Sequence, residues 1–167
     1  LDTFFEDRGS NGQDFDMFVG MIDTNGTWIW VSFVGGSQSD QINDLTIDIN
    51  GDIIVTGQSY GGGGGVDYMF GNINFPTDAT SGNYMFVYMA FIGKIDKFGE
   101  WKWVESWDQS TSTSAGNSVI SDSNGDVIVT GYSHGTSTKG SLSIDTGGSQ
   151  NGFVTKLDGD GNWLWLK

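Results

Sequence analysis

The sequence predicts an all-β protein built from repeated four-stranded antiparallel sheets in one domain, 1–167. A marker pattern made of an apolar run, Asp-x-x-Gly and Trp-x-Trp occurs at 18–30, 91–103 and 153–165. Short alternating runs bounded by Gly, Asn, Asp and Ser recur between the copies, as in β-strands joined by turns. The 27 glycines and single proline also indicate many turns. No stretch has the i, i+3, i+4, i+7 spacing of an amphipathic helix.

Each marker predicts two strands joined by a tight turn. Glycine at the fourth turn position can adopt the positive φ of a type I turn followed by a bulge. The aspartate three residues earlier is expected to accept hydrogen bonds from the turn amides. These residues recur at equivalent positions: Asp23 and Gly26, Asp96 and Gly99, and Asp158 and Gly161.

The strand after each turn carries two tryptophans separated by one residue. Alternation with period two predicts that both lie on one face of the strand, with apolar residues on the other. Such a strand is expected to be buried between two neighbouring sheets. The pairs are Trp28 and Trp30, Trp101 and Trp103, and Trp163 and Trp165.

A second type of hairpin alternates with the marker. It occurs at 44–57 and 117–131, and both copies contain Asn-Gly-Asp at the turn and end in Val-Thr-Gly. Regular alternation of two hairpin types predicts a repeated four-stranded unit. The predicted units are approximately 1–69, 70–139 and a partial 140–167, about two and a half in all.

This order of motifs resembles the bacterial β-propeller repeat of the SBBP type, most closely over 122–167. The resemblance implies four-stranded, blade-like sheets and a secreted or cell-surface bacterial protein, and it carries over no catalytic residues. Propellers close with about four to eight blades. Two and a half units are therefore not expected to close within one chain. A chain that begins at Leu1 is expected to be processed or partial.

Composition excludes several partners and chemistries. The formal net charge of −14, with seven Lys and Arg, disfavours nucleic acids and anionic membranes, which are polyanions. No apolar run is long enough to span a bilayer, so membrane insertion is not expected. The chain has no cysteine, which excludes disulfides and thiolate chemistry. The only histidine, His134, lies in no recognisable nucleophile motif, and the protein is predicted not to be an enzyme.

Acidic turns raise the question of a calcium site. They place carboxylates at alternate positions, as the first half of a calcium-binding loop does. The distal Glu of an EF-hand is missing, because Ser59 and Ser133 stand at the twelfth position. Hydrogen bonding within the turn is the favoured interpretation, with no cofactor, and calcium is the alternative. Candidate ligands are Asp48, Asp122, Asp158 and Asp160.

Two features of the sequence are compatible with carbohydrate, one with sugar binding and the other with N-glycosylation. Indole faces suit the apolar faces of sugar rings, so the tryptophan pairs are candidate stacking residues. Packing between sheets also explains them and is the favoured interpretation. Asn25-Gly26-Thr27 matches the acceptor sequence for N-glycosylation, and the same residues are also typical of an ordinary turn. The candidate stacking residues are Trp28, Trp30, Trp101 and Trp103.

The predicted function is that of an extracellular structural protein which assembles with itself head to tail, as a filament subunit. The last apolar strand, with Trp163, Trp165 and Leu166, is expected to expose an edge that recruits another chain. An opening strand with Leu1, Phe4 and Phe5 is expected to pair with it by β-augmentation. The alternatives are a carbohydrate-binding propeller module and a fragment of a longer propeller.

Overall fold

A computed structural model of the chain describes residues 17–35, 39–61, 69–71, 73–74, 87–107, 109–110 and 113–167. Within these ranges all regular secondary structure is β-strand, and every strand pair is antiparallel. The predicted all-β class with four-stranded antiparallel sheets is therefore confirmed. These sheets do not close into a barrel.

Three sheets account for the described strands. Sheet A contains, in spatial order, β1 (Met17–Ile22), β2 (Trp28–Gly35), β5 (Met69–Phe70) and β6 (Ile73–Asn74). Sheet B contains β3 (Asp40–Ile47), β4 (Ile53–Gly61), β7 (Val87–Ile95) and β8 (Trp101–Ser106). Sheet C contains β10 (Ser114–Ser121), β11 (Val127–Lys139), β12 (Leu142–Leu157) and β13 (Trp163–Leu166), and β9 (Gln109–Ser110) also pairs with β11.

The sheets are offset from the sequence units by one hairpin. Sheets B and C each join a second-type hairpin to the marker hairpin that follows it, through the pairs β4–β7 and β11–β12. Sheet B therefore crosses the predicted boundary between 69 and 70, and sheet C crosses that between 139 and 140. The third marker, 153–165, completes sheet C.

Two apolar layers separate the three sheets. The first lies between sheets A and B and includes Val34, Val55, Phe91 and Ile95. The second lies between sheets B and C and includes Ile54, Ile92, Val129 and Leu157. Sheet B is thus buried on both faces, as the sequence predicted for strands that are apolar on both sides.

The two tryptophans of each pair lie on opposite faces of their strand, so the prediction of a shared face is wrong. In sheet B, Trp101 pairs with Ile95 and Trp103 pairs with Lys94. Two residues along β8 therefore correspond to one residue along β7. Lys102 is the extra residue of a β-bulge. Trp101 consequently packs in the layer toward sheet A, and Trp103 packs against the layer toward sheet C.

The same bulge follows the other two marker turns. Trp28 pairs with Ile22 and Trp30 with Met21, while Trp163 pairs with Leu157 and Trp165 with Lys156. Each bulge shifts the alternation by one residue. The first tryptophan of each pair therefore points toward the preceding position in the stack, and the second points toward the following one.

The turns have the predicted chemistry. Gly26, Gly99 and Gly161 have φ of 81°, 93° and 89°, a conformation that favours glycine. Asp23 accepts hydrogen bonds at Oδ1 from the backbone N–H groups of Asn25 and Thr27, both at 2.8 Å. The second-type hairpins repeat this geometry at Asp48 and Asp122. Turn conformation is therefore set locally by Asp and Gly.

The glycine of Val-Thr-Gly has a separate structural reason. Gly57 lies opposite a bulge between Ile42 and Asp44, and a Cβ there would overlap the carbonyl oxygen of Gln41. Gly131 has the equivalent relation to the carbonyl of Ala115. Neither glycine has a positive φ. The motif therefore ends in glycine because the partner backbone comes too close for any side chain.

Candidate assembly surface

The first tryptophan of a marker binds the preceding sheet. The indole N–H of Trp101 donates to Ser32 Oγ at 2.9 Å, across the layer between sheets A and B. The indole N–H of Trp163 donates to Glu105 Oε2 at 3.1 Å, across the layer between sheets B and C. Ser32 and Glu105 occupy equivalent positions, four residues after the first tryptophan of their own marker. The two layers therefore use the same contact.

The second tryptophan binds the following sheet. The indole N–H of Trp30 donates to the backbone carbonyl of Lys97 at 3.0 Å, and that of Trp103 donates to the carbonyl of Gly159 at 3.2 Å. Both acceptors are the residue immediately after the turn aspartate of the next marker. This contact ties the end of one sheet to the turn of the next.

The indole ring of the second tryptophan also lies on the glycine of that turn. A Cβ on Gly99 would be 2.9 Å from the ring of Trp30, and a Cβ on Gly161 would be 2.8 Å from the ring of Trp103. The glycine is thus required twice, for its positive φ and for the close approach of the ring.

One face of the marker hairpin is buried against the preceding sheet in sheets B and C. In sheet B, Phe91 and Ile95 on this face are 0% exposed, and Trp101 and Val104 pack beside them. In sheet C, Phe153, Leu157, Trp163 and Leu166 pack in the layer against sheet B. We call this face the docking face of a marker.

The docking face of sheet A is exposed. Phe18, Ile22 and Trp28 are the equivalents of Phe91, Ile95 and Trp101, and they are 56%, 55% and 49% exposed. Phe18 contacts Trp28 and Phe33 edge-on or tilted, with ring centroids 6.1 and 6.5 Å apart, so the side chains form one apolar patch. In the described part of the chain, neither apolar layer includes these three side chains.

Sheet C exposes a complementary surface on its far side. Ile120 and Leu164 are exposed there, and Ile128, Val154 and Trp165 are partly buried. Ile128, Val154 and Trp165 are the equivalents of Ile54, Ile92 and Trp103, which sheet B presents to sheet C. We call this surface the far face of sheet C. It therefore carries the side chains that would meet a docking face.

Buried ion pairs occupy the acidic turns of the second-type hairpins. The Lys94 ammonium lies 2.7 Å from Asp48 Oδ2 and 3.6 Å from Asp52 Oδ2, and it donates to the carbonyl of Gly159 at 3.2 Å. Burial opposes ionisation of Asp48, but the Lys94 hydrogen bond and the turn amides outweigh it and lower its pKa. A lysine ammonium thus lies where the carboxylates converge.

The equivalent pair in sheet C is more open. Lys156 Nζ lies 2.9 Å from Asp122 and 2.8 Å from Asp126, with side chains about a fifth exposed. Hydrogen bonding to Lys156 lowers the pKa of Asp122, and hydrogen bonding to Asp126 and Asp122 raises the pKa of Lys156.

The remaining calcium candidates lie in the third marker turn. Asp158 accepts from the side chain of Asn162 at 2.9 Å and from turn amides, which lower its pKa, and Asp160 is exposed. Among the residues that the structure describes, no three His, Cys, Asp or Glu side chains are grouped as a metal site.

The predicted assembly residues have mixed positions. Trp163 lies between sheets B and C, Leu166 is buried in the same layer, and Trp165 lies on the far face of sheet C. Their strand, β13, is an outer strand in the order of sheet C. Leu1, Phe4 and Phe5 fall outside the described residues, so the predicted pairing of β13 with the opening strand stays a prediction.

The residues predicted as candidates for sugar stacking or glycosylation differ in their exposure. Trp101 is buried, and Trp30 and Trp103 are partly buried against the apolar layers, while Trp28 is half exposed. Asn25 is exposed in its turn, where its N–H donates to Asp23. His134 is exposed on β11.

A groove of about 730 Å³ lies among the turns of sheets B and C. Asn50, Asp96, Phe98, Asn124 and Asp160 line it, and Phe98 is 71% exposed. Amide, carboxylate and aromatic groups together are the chemistry that binds sugar hydroxyls and the apolar faces of sugar rings. The sequence patterns did not indicate this groove, because its lining comes from four separate turns.

Sequence reasoning also missed a cross-sheet contact near Trp107. Its indole N–H donates to Ser114 Oγ at 3.1 Å, and the same oxygen accepts from the backbone N–H of Ala90 in sheet B at 2.9 Å. The ring of Trp107 packs against the ring of Trp163, with the two ring centroids 4.9 Å apart. The available signal was that Trp107 is the one tryptophan outside the Trp-x-Trp pattern.

No protein-family model matches the chain, and a search of curated proteins gave no match. The resemblance to the SBBP-type repeat therefore stays a prediction. The described residues include no helix with the length and apolar character needed to cross a membrane.

Proposed function

We propose that this protein is an extracellular structural protein that assembles head to tail with copies of itself, as the subunit of a filament. The single observation that carries the proposal is the exposed docking face of sheet A. Its residues match, position by position, those that sheets B and C bury against a neighbouring sheet. The extracellular setting rests on the resemblance to secreted bacterial repeats.

The energetic argument starts from the exposed apolar side chains. Full burial of one large apolar side chain is worth about 1.5–3 kcal/mol. Phe18, Ile22 and Trp28 are each about half exposed, so covering them contributes roughly 2–5 kcal/mol. Association itself costs about 4–15 kcal/mol in lost freedom of motion. Assembly is therefore expected to depend on protein concentration and on contacts from the opposing surface.

The shape of the assembly follows from the difference between the two surfaces. The docking face of sheet A and the far face of sheet C are not the same surface, so the contact is heterologous. A heterologous contact produces an open filament unless its rotation closes a ring. Stacking of sheets produces the same head-to-tail order as the predicted strand pairing and does not depend on Leu1, Phe4 or Phe5.

The test compares the parent chain with a docking-face variant across a concentration series. Sedimentation velocity and negative-stain microscopy should show concentration-dependent filaments for the parent and monomers for a Phe18→Ser, Trp28→Ser double variant. Phe98→Ser is the control, because Phe98 is an even more exposed aromatic residue, at 71%, but lies on a turn that belongs to neither surface. A parent chain that stays monomeric at every concentration would refute the proposal.

The alternative function is carbohydrate binding, which the groove among the turns favours. Phe98 is 71% exposed there, with the Lys97 ammonium 5.3 Å from its ring centroid, and Asn50 and Asn124 offer amide donors and acceptors. Isothermal titration with neutral oligosaccharides tests it, with Phe98→Ala as the variant expected to lose binding. Absence of heat change across a panel of oligosaccharides would count against this alternative.

A further inference from the structure

We propose that Trp165 of one copy docks on the first marker turn of the next copy, with its indole N–H on the carbonyl of Thr24 and its ring on Gly26. This inference rests on the proposed head-to-tail assembly and names the contact that sets its register. The partner is a second copy of this chain, whose docking face covers the far face of sheet C.

The two internal contacts supply the template. Trp30 binds the carbonyl of Lys97, and Trp103 binds that of Gly159. In each case the acceptor follows the turn aspartate directly, and in the first marker that position is Thr24. The acceptor geometry is the same in all three markers, because each turn closes with the same hydrogen bond from Gly to Asp, at 3.0 to 3.1 Å.

Among the described residues, no side chain covers the turn glycine of the first marker. Gly99 and Gly161 each lie against an indole ring, whereas no described atom lies within 4 Å of a Cβ placed on Gly26. Its φ of 81° is close to the 93° and 89° of the other two. The first turn therefore has the backbone shape of an occupied site and lacks the tryptophan.

Trp165 is the matching unoccupied donor. It pairs with Lys156 beyond the same bulge that directs Trp103 toward the following sheet, so its side chain points away from sheet B. Among the described contacts its indole nitrogen has no acceptor. One unused donor and one uncovered turn thus lie at opposite ends of the stack of three sheets.

At the proposed interface, the acceptor of the first tryptophan differs in chemistry from the acceptors inside the stack. Ser32 and Glu105 accept the indole N–H of the first tryptophan of the next marker, and their equivalent in the third marker is Lys167. A lysine ammonium suits the face of an indole rather than its N–H. The contact between Trp28 and the far face of sheet C is therefore expected to be a cation–π contact.

Gly26→Asn is the deciding variant. Asn tolerates positive φ better than most residues, so the turn itself is expected to persist, while the added side chain occupies the place of the Trp165 ring. Gly51→Asn is the matched control, because Gly51 has the same φ of 81° and the same open space around its Cβ, but lies on sheet B. Both variants should have the same circular dichroism spectrum and melting temperature as monomers.

The measurement is the critical concentration for assembly, by light scattering. We expect Gly26→Asn to raise it by at least about tenfold, which corresponds to 1.4 kcal/mol of lost contact energy, and Gly51→Asn to leave it unchanged. Trp165→Phe, which keeps an aromatic ring but loses the N–H donor, should raise it by a smaller factor and reports on the contact even if Gly26→Asn fails to fold.

The outcomes separate the two proposals. A parent chain that never assembles overturns the proposed function and this contact with it. A parent chain that assembles while Gly26→Asn and Trp165→Phe assemble equally well overturns the contact alone. Assembly that Gly51→Asn weakens as much as Gly26→Asn also overturns it, because the effect would then belong to any turn substitution.

Discussion

The ammonium nitrogen of Lys94 lies 2.7 Å from the carboxylate of Asp48, and both side chains are buried. The same ammonium donates to the carbonyl of Gly159, so one lysine connects two hairpins of sheet B with a turn of sheet C. A buried charge is tolerated only when it is paired and hydrogen-bonded. The stability of the stack is therefore expected to depend on this lysine more than on any exposed ion pair.

Lys94→Met should lower the free energy of unfolding by about 3–5 kcal/mol, because it leaves the Asp48 carboxylate buried without its partner. Lys102→Met is the control: Lys102 lies 3.4 Å from Asp52 but its side chain is half exposed, so a loss below about 1 kcal/mol is expected. Urea denaturation followed by tryptophan fluorescence measures both. Equal losses for the two variants would contradict the expectation that the buried Lys94 contributes more stability than the half-exposed Lys102.

Acid should destabilise the fold through the turn aspartates. The pKa of the first aspartate is lowered from 3.8 in every described turn of this type, so the folded state favours its ionised form. This contribution is present above pH 3.8 and is lost as the pH falls through the lower folded-state pKa. The residues are Asp23, Asp48, Asp96, Asp122 and Asp158.

Melting temperature measured against pH tests this expectation. The contribution of these groups should be constant from pH 7 to about pH 5 and should fall below about pH 4. Asp122→Asn should reduce the acid sensitivity, because the variant no longer has that proton to bind. A melting temperature that rises as the pH falls below 4 would be inconsistent with lowered pKa values.

Calcium removal should change stability little. Asp48 and Asp122 are paired with lysines, and Asp158 accepts from turn amides and from Asn162, so turn geometry is maintained by protein groups. Differential scanning calorimetry with EDTA and with added calcium measures the effect, and magnesium serves as the control ion. A large fall in melting temperature on chelation would identify these aspartates as ligands instead.

Gly57→Ala should destabilise the protein by about 1–3 kcal/mol, because the new methyl group overlaps the backbone of the opposite strand. Gly152→Ala is the matched control in a strand, with only one backbone oxygen nearby, at 3.7 Å, and no positive φ. Thermal unfolding of both variants provides the comparison. A Gly57→Ala protein as stable as the control would show that β3 moves aside without cost.

Local features of the fold could be predicted from the sequence, and relations between hairpins could not. The Asp-x-x-Gly turns and both hairpin types follow from residues within a few positions of one another. The directions of Trp101 and Trp103 were predicted wrongly, because a single bulge residue reverses the alternation after it. Which hairpins share a sheet depends on pairings such as β4 with β7, whose long connection leaves no local signal.

The candidate surface was predictable only in part. Trp163, Trp165 and Leu166 were singled out for assembly, but the structure distributes them between a buried layer and an outer face. Phe18 and Ile22 were not singled out, because their exposure depends on which sheets lie beside them. The contact of Ser114 with Trp107 was not predicted, because Trp107 lies outside the repeated Trp-x-Trp pattern.

The one-hairpin offset between sequence unit and sheet determines where the chain can be shortened. A truncation after residue 139 follows the repeat in the sequence, but it separates β11 from β12, which are paired along most of their length. A cut between β8 and β9 leaves sheet C whole, and a start at residue 39 leaves sheets B and C whole. The segment that recurs in the sequence and the segment that folds as one layer are thus different pieces of the same chain.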